Sequence, residues 1–158
     1  MEIPSIELEP SDVIATIALV ISLFSIWSQD KGVKKQLLVA NIGEYTKRYQ
    51  SIMWSLPESV LYSNFDISSL DRAERIKILR YMWLYFDLCF EEYSLYHNLK
   101  LIDKKLWKIW ESAIIASFSR PAFSQCWVII SQQTSYGSGF EKFINSIINS
   151  QYNGLKKL

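Results

Sequence analysis

The chain has 158 residues and a formal net charge of +1. This length accommodates one compact domain and a terminal segment but no second sizeable core. The near-neutral charge excludes the global basic field that attracts nucleic acids, so there is no strong nucleic-acid signal. Aromatic residues make up 15% of the chain, enough to build a small helical core from few side chains.

An uncharged segment, Val13–Trp27, stands near the N-terminus. As a helix it would extend roughly 22 Å, less than the roughly 30 Å of a bilayer core, so a span needs residues 12–29 or local thinning. Acidic residues precede it where a signal peptide carries positive charge, which disfavours cleavage. The sequence predicts a membrane anchor, and a buried helix of a soluble domain is the alternative.

Charge gives this anchor a direction. Acids but no Lys or Arg precede the segment, whereas Lys31, Lys34 and Lys35 follow it, so the positive-inside rule places the later residues in the cytoplasm. We also expect these lysines to bind anionic lipid headgroups. The predicted arrangement in the cell (inner) membrane is single-pass, with an extracytoplasmic tail of residues 1–11, a transmembrane helix of residues 12–29 and a cytosolic domain of residues 30–158.

Helical periodicity dominates the remainder, and no segment alternates for long with a period of two. The fold class is therefore all-α, an N-terminal transmembrane helix followed by a bundle of about four to five helices. Capping residues and prolines set the boundaries. The predicted helices run from near Lys31 to Ser55, from Ser68–Asp71 to near Asn98, from Asp103 through Phe118, from Pro121 to about Gln132, and from Phe140 to Ser150.

The large apolar residues of the second and third of these helices predict the core. The third is apolar nearly all round, which indicates a helix packed between others. Cys89 and Cys126 lie on apolar helices in a reducing compartment and are expected to be core thiols without a disulfide. The side chains expected to be largely buried are Trp83, Phe86, Phe90, Trp107, Trp110 and Phe118.

Small and polar residues recur at heptad spacing along the predicted span. Such residues let helices approach closely in lipid, so this seam predicts homo-oligomerisation. Packing against a single partner helix and a ring of copies around a narrow water-accessible path both remain open. The seam consists of Ser11, Ala15, Ala18, Ser22, Ser25 and Gln29.

Three carboxylates, Asp87, Glu91 and Glu92, interrupt the apolar central helix. Asp87 and Glu91 lie four residues apart on one face and would repel without a neutralising partner. Arg120 is the candidate partner, because its planar guanidinium can bind a carboxylate with two hydrogen bonds. We expect a buried ion pair here, with catalysis or a divalent-ion site as the alternative.

Signatures of enzyme chemistry are missing from the sequence. The one histidine, His97, rules out His-rich zinc sites, and a helical RNase motif would need an arginine where Phe90, Glu91 or Glu92 stands. No phosphate loop or nucleophile elbow occurs. We therefore predict a non-enzymatic protein with no catalytic residue, metal or cofactor. The lysines at 100, 104, 105 and 108 form either a solvated face or a site for a phosphate-bearing ligand.

The strings RYMWLYFDLCFEEYSLYHNLKLIDKKLWKIWESAI and SRPAFSQCW resemble the shared region of small, largely uncharacterised prokaryotic membrane proteins with one N-terminal span and a helical domain. The resemblance covers about residues 70 to 128 and implies no active site. The architecture is also similar to that of the accessory membrane protein of type VI-B CRISPR systems. That similarity implies a pore-like oligomer in antiviral defence, although the RNase motif is absent here.

Together these features predict a membrane-anchored protein that self-associates as a pore-like or scaffolding effector in prokaryotic defence. The alternative is a membrane-tethered sensor or adaptor whose cytosolic helices bind a partner protein or a nucleotide. An enzyme using the three carboxylates is the third reading.

The topology can be tested directly. Protease added to intact cells or right-side-out vesicles should leave residues 40–158 uncut, because the lysines after the span hold that part inside. Digestion of this domain in sealed vesicles would contradict the predicted orientation, and digestion after the vesicles are opened is the positive control.

Overall fold

The computed structural model describes residues 42–155, with side chains through residue 150, and all regular structure in this range is helical. The expected all-α bundle is therefore confirmed for the described part. The helices are α1 (residues 42–55), α2 (Arg72–His97), α3 (Lys104–Phe118), α4 (Pro121–Ile130) and α5 (Ser138–Leu155), with short 3-10 helices at Glu58–Leu61 and Ile67–Ser69.

Local capping chemistry fixes where the helices begin. The Asp71 carboxylate accepts hydrogen bonds from the backbone N–H groups of Ala73 at 2.8 Å and Glu74 at 2.9 Å. Asp103 accepts one from Leu106 N–H at 2.8 Å. Pro121 is the first residue of α4. The first N–H groups of a helix have no partner within it. Asp71 and Asp103 accept hydrogen bonds from such groups, and Pro121 has no N–H, which is why the predicted starts of α2, α3 and α4 agree with the structure.

The core forms around the middle of α2. Phe86 is fully buried, with its ring stacked on Phe118 at a centroid distance of 5.1 Å and against the edge of Trp127 at 5.4 Å. The indole N–H of Trp127 donates a hydrogen bond to the Asn145 side chain at 3.0 Å. This bond satisfies the one polar group that the buried indole carries.

The segment between α1 and α2 is held by a side chain from α4. The Gln125 amide accepts a hydrogen bond from Ile67 N–H and donates one to the Phe65 carbonyl, both at 2.9 Å. Phe65 and Ile67 are buried beneath this clamp. These two hydrogen bonds join the segment between α1 and α2 to the core.

The predicted core residues are not equally buried. Phe86, Trp107 and Phe118 are buried, but Trp83, Phe90 and Trp110 are only partly so. Helix α3 is not enclosed either, because Ile109 on its outer face is 67% exposed. Helices α2, α4 and α5 pack on α3, and Tyr45 of α1 lies 5.5 Å from its Trp110 between ring centroids, but the face that carries Ile109 stays open.

Cys89 and Cys126 are both buried free thiols, as expected.

Within the described residues no single helix is long and apolar enough to be a membrane span. Helices α3 and α4 meet that length and composition only as a pair, and the chain bends by 91° at their junction. The predicted span of residues 12–29, the seam from Ser11 to Gln29 and Lys31, Lys34 and Lys35 lie outside the described residues.

Truncation of the buried rings should be costly. Phe86→Ala or Trp107→Ala is expected to lower the free energy of unfolding by about 3 to 5 kcal/mol, because each leaves a cavity in a packed interior. Trp54 is 87% exposed, so Trp54→Ala is the matched control and should change stability by less than about 0.5 kcal/mol. Urea titration of the purified chain measures all three. Equal midpoints for Phe86→Ala and Trp54→Ala would contradict the placement of α2.

Candidate functional site

The three carboxylates of α2 lie in three different surroundings. Glu91 pairs with Arg48 of α1, with the guanidinium donating to both carboxylate oxygens at 2.6 and 3.0 Å. The Tyr45 hydroxyl donates a third hydrogen bond to Glu91 at 3.2 Å. The hydrogen bond from Arg48 lowers the pKa of Glu91, so this carboxylate is ionised at neutral pH.

Asp87 faces the segment before α5. The Tyr136 hydroxyl donates to its carboxylate at 2.9 Å. Burial is the main reason why the pKa of the Tyr136 phenol is raised. The hydrogen bond to the Asp87 carboxylate raises this pKa further, because only the protonated phenol can donate it. The phenol therefore stays a donor, and one oxygen of Asp87 remains available for another partner.

Glu92 lies in a cleft of about 150 Å³ between α1, α2 and α3. No described residue donates a hydrogen bond to its carboxylate. Burial and then the neighbouring Glu91 charge raise its pKa to about 7, against a partial opposing effect of Arg48. A carboxylate in this state is poorly solvated and has capacity for a cationic partner.

Four of the nine residues that line this cleft are aromatic. Tyr45 and Trp110 lie 5.5 Å apart between centroids, and Tyr49 and Tyr85 lie 6.2 Å apart. The other residues lining the cleft are Thr46, Leu88, Ala113 and Ile114. The site thus offers π surfaces and one carboxylate, with no nucleophile or basic group on its wall.

A second concave surface, here called the α2–α4 groove, has a volume of about 470 Å³. It is mainly apolar and carries Arg80 and Asp87 on α2, seven residues apart. Ile76 and Leu84 in this groove are 49% and 47% exposed. The residues lining it are Ile76, Leu79, Arg80, Trp83, Leu84, Asp87, Ile129, Ile130 and Gln133.

The predicted role of Arg120 is wrong. Arg120 is exposed at the start of α4, while Glu91 pairs with Arg48 and Asp87 accepts from Tyr136. The Arg48–Glu91 ion pair is also not deeply buried, since the two side chains are 38% and 42% exposed. Arg48 was missed although its position gives a signal, because it lies three residues after Tyr45 and this spacing places both on one side of α1.

His97 and the four candidate lysines lie near the junction of α2 and α3. His97 is the last residue of α2, and its ring stacks on Tyr93 at 4.2 Å and lies against Trp107 at 5.1 Å. The lysines at 100, 104, 105 and 108 are all exposed. Among the described residues no group of three or more His, Cys, Asp or Glu side chains is placed to hold a metal ion.

No family model, curated protein or solved structure matches this chain. The resemblance to prokaryotic single-span membrane proteins therefore stays a prediction. The contacts, burial and charges of the described residues are therefore the basis for a functional proposal.

The raised pKa of Glu92 has a consequence for stability. An unfolded glutamate titrates near its ordinary 4.5, whereas folded Glu92 titrates at about 7, so the folded chain holds the extra proton between these values. Stability should therefore be highest below about pH 4.5 for this group and should fall by about 3 kcal/mol as pH rises to 7.

Urea titrations at a series of pH values test this, with Glu92→Gln as the variant and Glu74→Gln, at the other end of α2, as the control. Glu92→Gln should remove the slope and be more stable than the parent at pH 8, because it introduces no buried charge. A slope between pH 5 and 7 that persists unchanged in Glu92→Gln would show that another group causes it.

Proposed function

We propose that this chain is a membrane-anchored, non-enzymatic protein that self-associates as a scaffolding effector at the cytoplasmic face of the cell membrane. The uncharged segment Val13–Trp27 and the lysines that follow it support the anchor. The observation that carries self-association is the α2–α4 groove, an exposed apolar surface with one basic and one acidic residue on the same helix face.

The groove is complementary to itself. Seven residues are two helical turns, so Arg80 and Asp87 lie on one side of α2, with Trp83 and Leu84 between them. A two-fold axis between positions 83 and 84 would place Arg80 of each copy opposite Asp87 of the other. Isologous contact of this kind buries the same apolar patch on both copies and forms two ion pairs.

A second copy suits this surface better than a neutral apolar peptide. Such a peptide would cover the apolar centre but leave both charges without a counterion, whereas a second copy satisfies both at once. Tyr136 uses one oxygen of Asp87, which leaves the other free to accept from an incoming guanidinium. In a membrane, anchored chains would meet in one plane with a high effective concentration, so a modest groove contact suffices. The predicted seam of the span would add to it.

Charge reversal at the groove tests self-association. Arg80→Glu should weaken the oligomer of the full chain in detergent, and the double variant Arg80→Glu with Asp87→Lys should restore it, because the ion pairs re-form with opposite polarity. Sedimentation velocity gives the mass. Tyr136→Phe reports how much losing the Tyr136–Asp87 hydrogen bond alone perturbs the fold.

An apolar pair of variants supplies an independent check. Leu84→Glu places a charge in the groove and should produce monomers, whereas Ile109→Glu places the same charge on the open face of α3 and should not. A parent chain that is monomeric at all concentrations, or equal effects of the two variants, would reject the α2–α4 groove as the interface.

The sensor or adaptor alternative has support of a different kind. It requires a ligand site on the helical domain, and the cleft around Glu92 is a concave surface with four aromatic side chains on its wall.

A further inference from the structure

We propose that the cleft between α1, α2 and α3 binds an alkylammonium group, held between its aromatic rings and the Glu92 carboxylate. This site lies apart from the α2–α4 groove and goes beyond the scaffolding function. The inference rests on three properties of the cleft, which are its unpartnered acid, its ring surfaces and its size.

The acid sets the charge of the ligand. The Glu92 carboxylate lies among Tyr85, Leu88 and Ile114 without a hydrogen-bond donor from the described residues. Arg48 is occupied by Glu91 through two hydrogen bonds, so it is not a full counterion for Glu92. An anionic ligand would meet two adjacent carboxylates, and a neutral apolar ligand would bury one of them further without compensation. A cation removes both penalties.

The rings set the type of cation. Four aromatic side chains from three helices line the cleft: Tyr45, Tyr49, Tyr85 and Trp110. The negative faces of such rings attract organic ammonium groups, whose diffuse charge is weakly hydrated. Within the same protein, the Arg48 guanidinium already lies 5.5 Å from the centroid of the Tyr45 ring. A hard divalent cation would instead require several oxygen ligands, and Glu92 supplies only one carboxylate here.

The size restricts the ligand further. A volume of about 150 Å³ is comparable to a cavity that accepts benzene, which is close in bulk to a trimethylammonium head. The head of choline, a methylated amine or a lipid headgroup presents this chemistry. A nucleotide is too large to enter and carries the wrong charge.

Binding should depend on the ionisation of Glu92. The charged and titratable groups around it are Glu91, Arg48, Tyr45, Tyr49, Tyr85 and Cys89, while α3 contributes only Trp110, Ala113 and Ile114. The pKa of Glu91 is lowered, and the pKa values of Tyr45, Tyr85 and Cys89 are raised, so these four groups do not titrate near pH 7. With a pKa of about 7 for Glu92, lowering the pH from 8 to 6 should weaken binding about 10-fold.

The experiment titrates the full chain, in a maltoside detergent that lacks choline groups, with choline and with tetramethylammonium. Calorimetry measures the dissociation constant at pH 8 and pH 6 at fixed ionic strength. Sodium chloride controls for salt, and 3,3-dimethylbutan-1-ol, the uncharged analogue of choline, controls for shape. The proposal expects saturable binding of both ammonium ions at pH 8, with the alcohol at least about 10-fold weaker.

Two variants separate the acid from the rings. Glu92→Gln should reduce affinity about 10-fold at pH 8 and remove the pH dependence, because it keeps the shape and loses the charge. Trp110→Leu should weaken binding at both pH values and keep the pH dependence. Glu74→Gln, outside the cleft, should leave affinity unchanged, and thermal melts of all three confirm folding.

The source of the ammonium group is resolved by repeating the choline titration in vesicles. Weaker apparent choline binding in phosphatidylcholine than in phosphatidylglycerol vesicles identifies a lipid headgroup, and equal binding identifies a free solute. No saturable binding of either ammonium ion at pH 8, equal affinity for the alcohol, or full affinity in Glu92→Gln would overturn the proposal.

Discussion

Burial of Phe86 at the centre of α2 is the constraint on which the other features depend. Its ring stacks on Phe118 from α3 and contacts Trp127 from α4, so one side chain fixes three helices relative to one another. Tyr85, next along the chain, packs edge-on against Phe123 at 5.2 Å. Besides the stabilisation from buried apolar area, such ring pairs prefer particular relative orientations. This preference favours one arrangement of the helices over others.

Once the orientation of α2 is fixed by these rings, its polar residues have no freedom of position. At about 100° per residue, Glu92 lies roughly 140° from Asp87 around the helix, and Glu91 lies between them. Each acid therefore meets a different neighbour: α1 and α3 enclose Glu92, Arg48 neutralises Glu91, and Tyr136 binds Asp87. Like charges at successive positions are tolerable because only one of the three is poorly solvated.

The sequence predicted what depends on short-range physics. Asp71, Asp103 and Pro121 act within three residues of themselves, so the starts of α2, α3 and α4 could be found without tertiary information. The Arg48–Glu91 pair could not, because 43 residues separate its members and many cations compete for one carboxylate. Arg120 is closer to Glu91 in the sequence than Arg48 is, but its position at the start of α4 leaves its side chain exposed.

The partial burial of Trp110 and the exposure of Ile109 have a related explanation. An apolar helix is enclosed only if enough neighbours exist, and periodicity shows a residue's face but not how many helices cover it. Trp110 lines the cleft between α1, α2 and α3, where the surrounding rings do not fill the space. The same incomplete packing that leaves Trp110 only partly buried also leaves room beside Glu92. The cleft and the α2–α4 groove also occupy different sides of α2, so a ligand at one leaves the surface of the other uncovered.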